Sequence, residues 1–290
     1  MSDFYGIAGL TVEISGIDDP YFAYRMEKYR ANEKKADIRI EYSEEEKISE
    51  PAGQPAGRDS YRVFLKTDSG YANYDVLENP SMITAKIEAD EKWENIKASL
   101  CDVEPYGGAS LSVRAFNMVG EIMKTVFAKH DGVVIHSSSL AYKNKGVLFS
   151  APSGTGKSTH TGLWEKVYTS DVEIINDDMP VVRKIDGIWH LCGTPWSGKS
   201  ERNINKNVPL CGLVFLERGE KNEIHKISGA QSIFKIMNQT MLPVYKDIMD
   251  TVMNNIGGIL AKTDAYILKC TISDEAPVIV KEAIFREDQR

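Results

Sequence analysis

The residues with the clearest chemistry lie in one run: Phe149-Ser150-Ala151-Pro152-Ser153-Gly154-Thr155-Gly156-Lys157-Ser158-Thr159. An apolar strand, Val147 to Phe149, leads in, and a helix-compatible run, Lys157 to Lys166, leads out. Nucleotide phosphates need this arrangement. Gly154 and Gly156 let the backbone bend so that successive N–H groups point inward at phosphate oxygens. The helix start adds partial positive charge, and Lys157 neutralises the outer oxygens. Ser158 offers a hydroxyl to Mg²⁺. The usual pattern opens with glycine where this chain has Ala151, which costs ~1 kcal/mol only if that position needs φ > 0. The expected cradle for ATP is therefore Ser153, Gly154, Thr155, Gly156, Lys157, Ser158 and Thr159.

A phosphate loop does not specify a reaction, so its surroundings decide. Val172 to Ile175 reads as a strand delivering Asn176-Asp177-Asp178, with Asp177 only 20 positions after Lys157. That leaves room for the helix, one turn and an adjacent strand. Two neighbouring carboxylates can divide labour, one holding Mg²⁺ and one accepting a proton from an attacking hydroxyl. Successive residues of an extended chain face opposite ways, so the two do not meet the metal alike. The alternative is a solvated turn before Pro180. His136 closes a strand ahead of Ser137-Ser138-Ser139, and the chain then returns through a hairpin into the phosphate loop. Spacing alone leaves this histidine open between a phosphate-side role and a structural one. GTPWSGK, residues 193–199, is a glycine-punctuated loop ending in Lys199, with Arg202 close behind. These are the cations best placed to cover charge spreading in a phosphoryl transition state, unless they are merely an exposed basic turn. Trp196 either walls an acceptor pocket or packs. His160 lies near the nucleotide or on the helix surface.

The elements that position these groups follow from periodicity. Gly6 to Ile14 and Asp37 to Tyr42 alternate as half-buried strands. Tyr61 to Lys66 and Tyr71 to Val76 flank an Asp68-Ser69-Gly70 turn, and Met82 to Glu88 continues the meander. Residues 44–57 are acidic, then Pro/Gly-rich, and read as a solvated loop. Composition changes near Gly107-Gly108, and Leu111 to Lys129 is an amphipathic helix ending at a glycine cap after His130. Pro209 to Leu216 reads as a buried central strand. This divides the chain into a mostly-β accessory or recognition domain, residues 1–108, and an α/β phosphate-loop domain with a mixed central sheet, residues 109–290.

Composition bounds the function. Net charge is −7, with 42% hydrophobic and 27% charged residues, an ordinary globular mix that disfavours a nucleic-acid-coating role. No apolar run approaches a membrane span, and the start lacks a basic-then-apolar leader. The four cysteines, Cys101, Cys192, Cys211 and Cys270, are scattered, as expected of buried thiols rather than a disulfide framework or zinc site. A cytoplasmic protein is expected. Oligomeric state, a homo-oligomer included, stays open.

Taken together, IHSSSLAYKNKGVLFSAPSGTGKST, then INDD, then GTPWSGK resembles the HPr kinase/phosphorylase-like kinases, relatives of phosphoenolpyruvate carboxykinases, over roughly residues 111–290. The resemblance implies ATP and Mg²⁺, His136 beside the transferred phosphate, and Asp177 and Asp178 serving metal and proton transfer, with Asp177 favoured as base. The second signature of phosphocarrier kinases is replaced here by LCGTPWSGK, and no counterpart of the carboxykinases' oxaloacetate-binding arginines is seen. The implied reaction is γ-phosphate transfer to a hydroxyl of serine (free or in a peptide) or of a small metabolite. Rival readings are a nucleotide-gated peptide-binding module and, third, a bifunctional HPr kinase/phosphorylase.

Overall fold

A computed structural model of the chain describes residues 2–78, 81–102 and 108–285. Met1 and part of the composition change expected at Gly107-Gly108 lie outside them. The chain divides into two compact units, Met1–His130 with Pro243–Thr251, and Asp131–Leu242 with Val252–Arg290.

The first unit is built on one sheet. Its strands are β1 (Ser2–Ile7), β2 (Leu10–Ser15), β3 (Ile38–Glu45), β4 (Gln54–Arg58), β5 (Arg62–Thr67), β6 (Gly70–Glu78), β7 (Ser81–Asp90) and β8 (Asn95–Cys101), in the order β1-β2-β3-β8-β7-β6-β5-β4. Alternation drives it: β3 buries Ile38, Ile40 and Tyr42 and exposes Arg39, Glu41 and Ser43. Gly6 to Ile14, expected as one strand, is a hairpin instead. Ala8 (φ 52°) and Gly9 (φ 78°) are consecutive left-handed residues, the geometry of a two-residue turn. The expected loop over 44–57 is also shorter. Glu44 and Glu45 end β3, and Gln54–Arg58 forms an edge strand whose pairing shifts register after Pro55, an edge-compatible residue. Helix α1 (Pro20–Met26) is capped by Asp19, which accepts from Phe22 N at 2.8 Å. Helix α2 (Leu111–Lys129) belongs to this unit and runs over the expected residues, with Phe116 against Phe22. The positive φ after it falls on Asp131 (58°) rather than on Gly132, which opens the next strand.

The second unit is α/β with a mixed sheet. Its elements are β9 (Gly132–Val134), β10 (Ser137–Tyr142), β11 (Lys145–Ser150), α3 (Lys157–Tyr168), β12 (Val172–Asn176), β13 (Val181–Ile185), β14 (Ile188–Cys192), β15 (Asn207–Arg218), β16 (Glu223–Ile227), α4 (Ala230–Met237), the part of α5 (Lys246–Leu260) from Val252 onward, β17 (Ala265–Cys270) and α6 (Glu275–Ile284). Strand order is β12-β10-β11-β15-β14-β13-β9, with β17 also on β15 and β16 on β17. The 12 residues of β15 let its start pair antiparallel with β14 and its remainder run parallel to β11 and β17. Leu140, Phe149, Trp164, Val214, Leu268 and Val280 form the core beneath the carboxyl end of β11. Burying such side chains stabilises by roughly 1.5–3 kcal/mol each. No helix among the described residues is long and apolar enough to cross a membrane.

Candidate functional site

The loop between β11 and α3 is shaped by its glycines. Gly154 has φ 75°, and Gly156, at the α3 N-cap, has φ 112°. Both lie where a Cβ is strained. Ala151 has no positive φ and is buried in the core cluster, so the missing first glycine costs nothing here. Ser153 and Gly154 are exposed, Thr155 is half-buried, and Ser158 and Thr159 are exposed on the first turn of α3. Lys157 is buried, and its Nζ donates to Ala151 O at 3.0 Å. Burial pushes its ammonium below the ordinary range, while Asp178 and Asp177 pull it back up.

Asp177 and Asp178 follow β12, which pairs with β10 rather than with β11. The strand expected next to the loop strand is thus one place further out, and β10 lies between. The reason is the tight Lys143-Asn144 turn (φ 49° and 62°), which folds β10 directly onto β11 and occupies that position. The interposed strand carries a buried serine. Ser138 Oγ donates to Asp177 Oδ1 at 2.6 Å and lies 2.9 Å from Thr161 Oγ1 on α3. Asn176 holds the turn: Oδ1 accepts from Asp178 N at 2.9 Å and Met179 N at 2.7 Å, and Nδ2 donates to Thr194 O at 2.9 Å and Trp196 O at 3.2 Å. Asp177 N donates to Arg202 O at 3.1 Å.

His136 stands between β9 and β10, with Nε2 3.3 Å from Asp178 Oδ1. Both side chains are partly open to solvent, 42% and 34% exposed, so a ligand reaches them. Ser150 Oγ donates to His136 O at 2.7 Å, tying this position to the end of the loop strand. The two aspartates therefore have different neighbours, as an extended chain requires: buried Ser138 for Asp177, and His136 for Asp178.

The expected cations are split. Arg202 is ion-paired with Glu165 on α3; that contact and, secondarily, Asp177 raise its pKa. Lys199 is exposed on a short turn and has no hydrogen-bond or ion-pair partner among the described residues. Its neighbour Gly198, not the lysine, lies against Asp178: a Cβ there would sit 3.0 Å from Oδ2. Trp196 is buried and packs. His160 is buried too, pushed down to about 3 by desolvation, and so stays neutral beneath the loop rather than lying on the helix surface. Sequence reasoning missed Ser138, Thr161, Asn176 and Arg218, whose Nη2 donates to Gly154 O at 3.0 Å. The serine run was visible, but which serine meets an aspartate depends on strand order.

Residues 99–280 match the family described as SynChlorMet cassette protein ScmC. This chain belongs to the ScmC family. The matched span begins in β8 and ends within α6, so the loop, both aspartates and His136 lie inside it. No curated protein matches the chain. Among solved structures, the Hpr(Ser) kinase/phosphatase from Coxiella burnetii is similar at 10% identity and a TM-score of 0.31, over 53% of this chain and 88% of its own, a likeness too slight to carry an argument.

Proposed function

We propose that the second unit is an ATP-dependent phosphotransferase, moving the γ-phosphate of ATP to a hydroxyl of serine (free or in a peptide) or of a small metabolite. One observation carries the reading: a glycine-shaped loop and buried Lys157 share their electrostatic surroundings with two carboxylates, one of them beside a solvent-reachable histidine. The residues suit the donor. Space at Gly154 is open: among the described residues, its chain neighbours aside, no atom lies within 4 Å of an added Cβ, and the Lys157 ammonium has a carbonyl partner, Ala151 O, to exchange for phosphate oxygens. Among the described residues no three His, Cys, Asp or Glu side chains form a metal cage. Mg²⁺ held with a nucleotide takes one or two protein oxygens, the phosphates themselves supplying further ligands. Ser158 and Asp177 would hold the ion, whose contribution is to neutralise phosphate charge.

In this proposal Asp178 is the base, the reverse of the sequence expectation, because one oxygen of Asp177 is already taken by buried Ser138 while Asp178 opens to solvent beside His136. The acceptor O–H gives its proton to the Asp178 carboxylate as its oxygen bonds to the γ-phosphorus. The bond to the β-bridging oxygen breaks, and ADP leaves. The loop N–H groups and Lys157 hold the phosphates throughout, so positioning and charge neutralisation carry the rate.

The test is label transfer from γ-labelled ATP with Mg²⁺ to free serine, a serine-peptide library and fractionated extract. A labelled product that falls ~10²–10⁴-fold with Asp178→Asn and also falls with Asp177→Asn supports the reading. Tight nucleotide binding with no labelled product in any fraction would replace it by a nucleotide-gated binding module.

A further inference from the structure

Arg218 is the charged residue at the phosphate loop to which the proposed reaction gives no task. It ends β15, the parallel neighbour of β11, in which Ser150 pairs with Phe215. Three residues past Phe215, the Arg218 guanidinium reaches sideways onto the loop and donates from Nη2 to Gly154 O at 3.0 Å. The adjacent carboxylate is occupied, since Glu217 pairs with Lys235 at 2.7 Å. Among the described residues no carboxylate pairs with Arg218. A guanidinium has five N–H donors in a planar fork, and one carbonyl uses a single donor. The others, with the whole charge, remain at the exposed lip of the loop. Arg202 differs, because Glu165 already neutralises it.

Strand order then assigns sides. The aspartates follow β12, two strands from β11 in one direction, and Arg218 ends β15, the next strand in the other. The loop lies between them. A phosphate chain held by that loop, with its transferable end toward the aspartates, turns its nucleoside-side phosphates toward Arg218.

We infer that Arg218 binds the α- and β-phosphates of the donor and marks the side on which the nucleoside lies. This rests on the reading that the loop binds a nucleotide. On this assignment Arg218 recognises ATP and ADP alike, as a ground-state contact kept after transfer.

The test is calorimetric titration of the full chain with Mg·ATP and Mg·ADP, for wild type, Arg218→Gln, Arg218→Lys and Lys157→Ala. Glutamine removes the charge and shortens the side chain by two bonds, whereas lysine keeps the charge without the planar fork. The expected result is that Arg218→Gln weakens both nucleotides about tenfold, the size of one charge-assisted contact, while Arg218→Lys loses less. Wild-type affinity in Arg218→Gln overturns the assignment and leaves Arg218 a loop-shaping residue. Weakening of ATP with ADP unchanged also overturns it, because the contact would then be with the transferred phosphate. If wild type binds neither nucleotide, or Lys157→Ala binds as tightly as wild type, the nucleotide reading itself fails and Arg218 falls with it. Arg218 is exposed, and the lysine variant checks that any loss follows charge rather than folding.

Discussion

Lowering the pH from 7 to 5 should destabilise the second unit by about 2 kcal/mol through His160 alone. The ring is 3% exposed, lies 4.6 Å from the Phe149 ring, and accepts at Nε2 from Trp164 Nε1 at 3.2 Å. Its proton is therefore on Nδ1, which has no hydrogen-bond partner among the described residues. A second proton would put an unpaired charge in the core, and burial drives the pKa from 6.5 to about 3. The unfolded chain takes up that proton near pH 6.5 and the native protein only near 3. The stabilisation is thus complete above 6.5 and lost as pH falls toward 3, at up to ~1.4 kcal/mol per pH unit. Between pH 7 and 5 this integrates to about 2 kcal/mol. The assay is denaturant unfolding followed by tryptophan fluorescence at both pH values, for wild type and His160→Gln. Glutamine still offers Trp164 an acceptor but does not titrate, so the wild-type loss should exceed the variant's by that amount. Equal losses in the two proteins would refute the account.

Other perturbations test the loop and its supports. Ala151→Gly restores the glycine usual at that position, yet ATP affinity by titration should stay unchanged and stability fall by ~1 kcal/mol, since φ there is not positive. Gly156→Ala forces a side chain to φ 112°, so it should cost ~1–3 kcal/mol in thermal unfolding and sharply weaken nucleotide binding. Ser138→Ala removes the 2.6 Å hydrogen bond to Asp177; phosphate transfer should drop ~10-fold or more while ATP affinity holds. Asn176→Ala strips Asp178 N and Met179 N of their buried acceptor, takes one donor from Trp196 O, which still accepts from Thr194 Oγ1, and should destabilise by about 3 kcal/mol on denaturant unfolding.

Much of the fold was legible because local chemistry agreed with the tertiary result. The 3.6-residue pattern of Leu111 to Lys129 needed only an apolar face to bury, and the helix occupies those residues. Pro209 to Leu216, apolar almost throughout, is the centre of a 12-residue strand flanked on both sides. The misreadings share a cause. At Ala8-Gly9 a two-residue turn leaves the alternation unbroken, so a hairpin looks like one strand. At Gln54–Arg58 an edge strand has no core face to bury, hence no periodicity to read, and it forms only because β5 offers backbone partners.

The site divides along the same line. The loop was readable because its chemistry is contiguous: glycines, lysine and hydroxyl act within one turn of chain. The groups that position it are remote in sequence. Ser138 precedes Asp177 by 39 positions and Thr161 by 23, and Arg218 follows Gly154 by 64. Each contact depends on the order β12-β10-β11-β15, which no local pattern encodes. Had β12 lain beside β11, as the short spacing suggested, no strand would separate the acids from the loop and Ser138 would have no aspartate to meet. Because β10 intervenes, one buried hydroxyl joins α3 to Asp177 through Thr161, and the helix that follows the phosphate loop is coupled to the acid across the sheet. Sequence spacing bounded which strands could carry the aspartates, and strand order decided what lies between them and the loop.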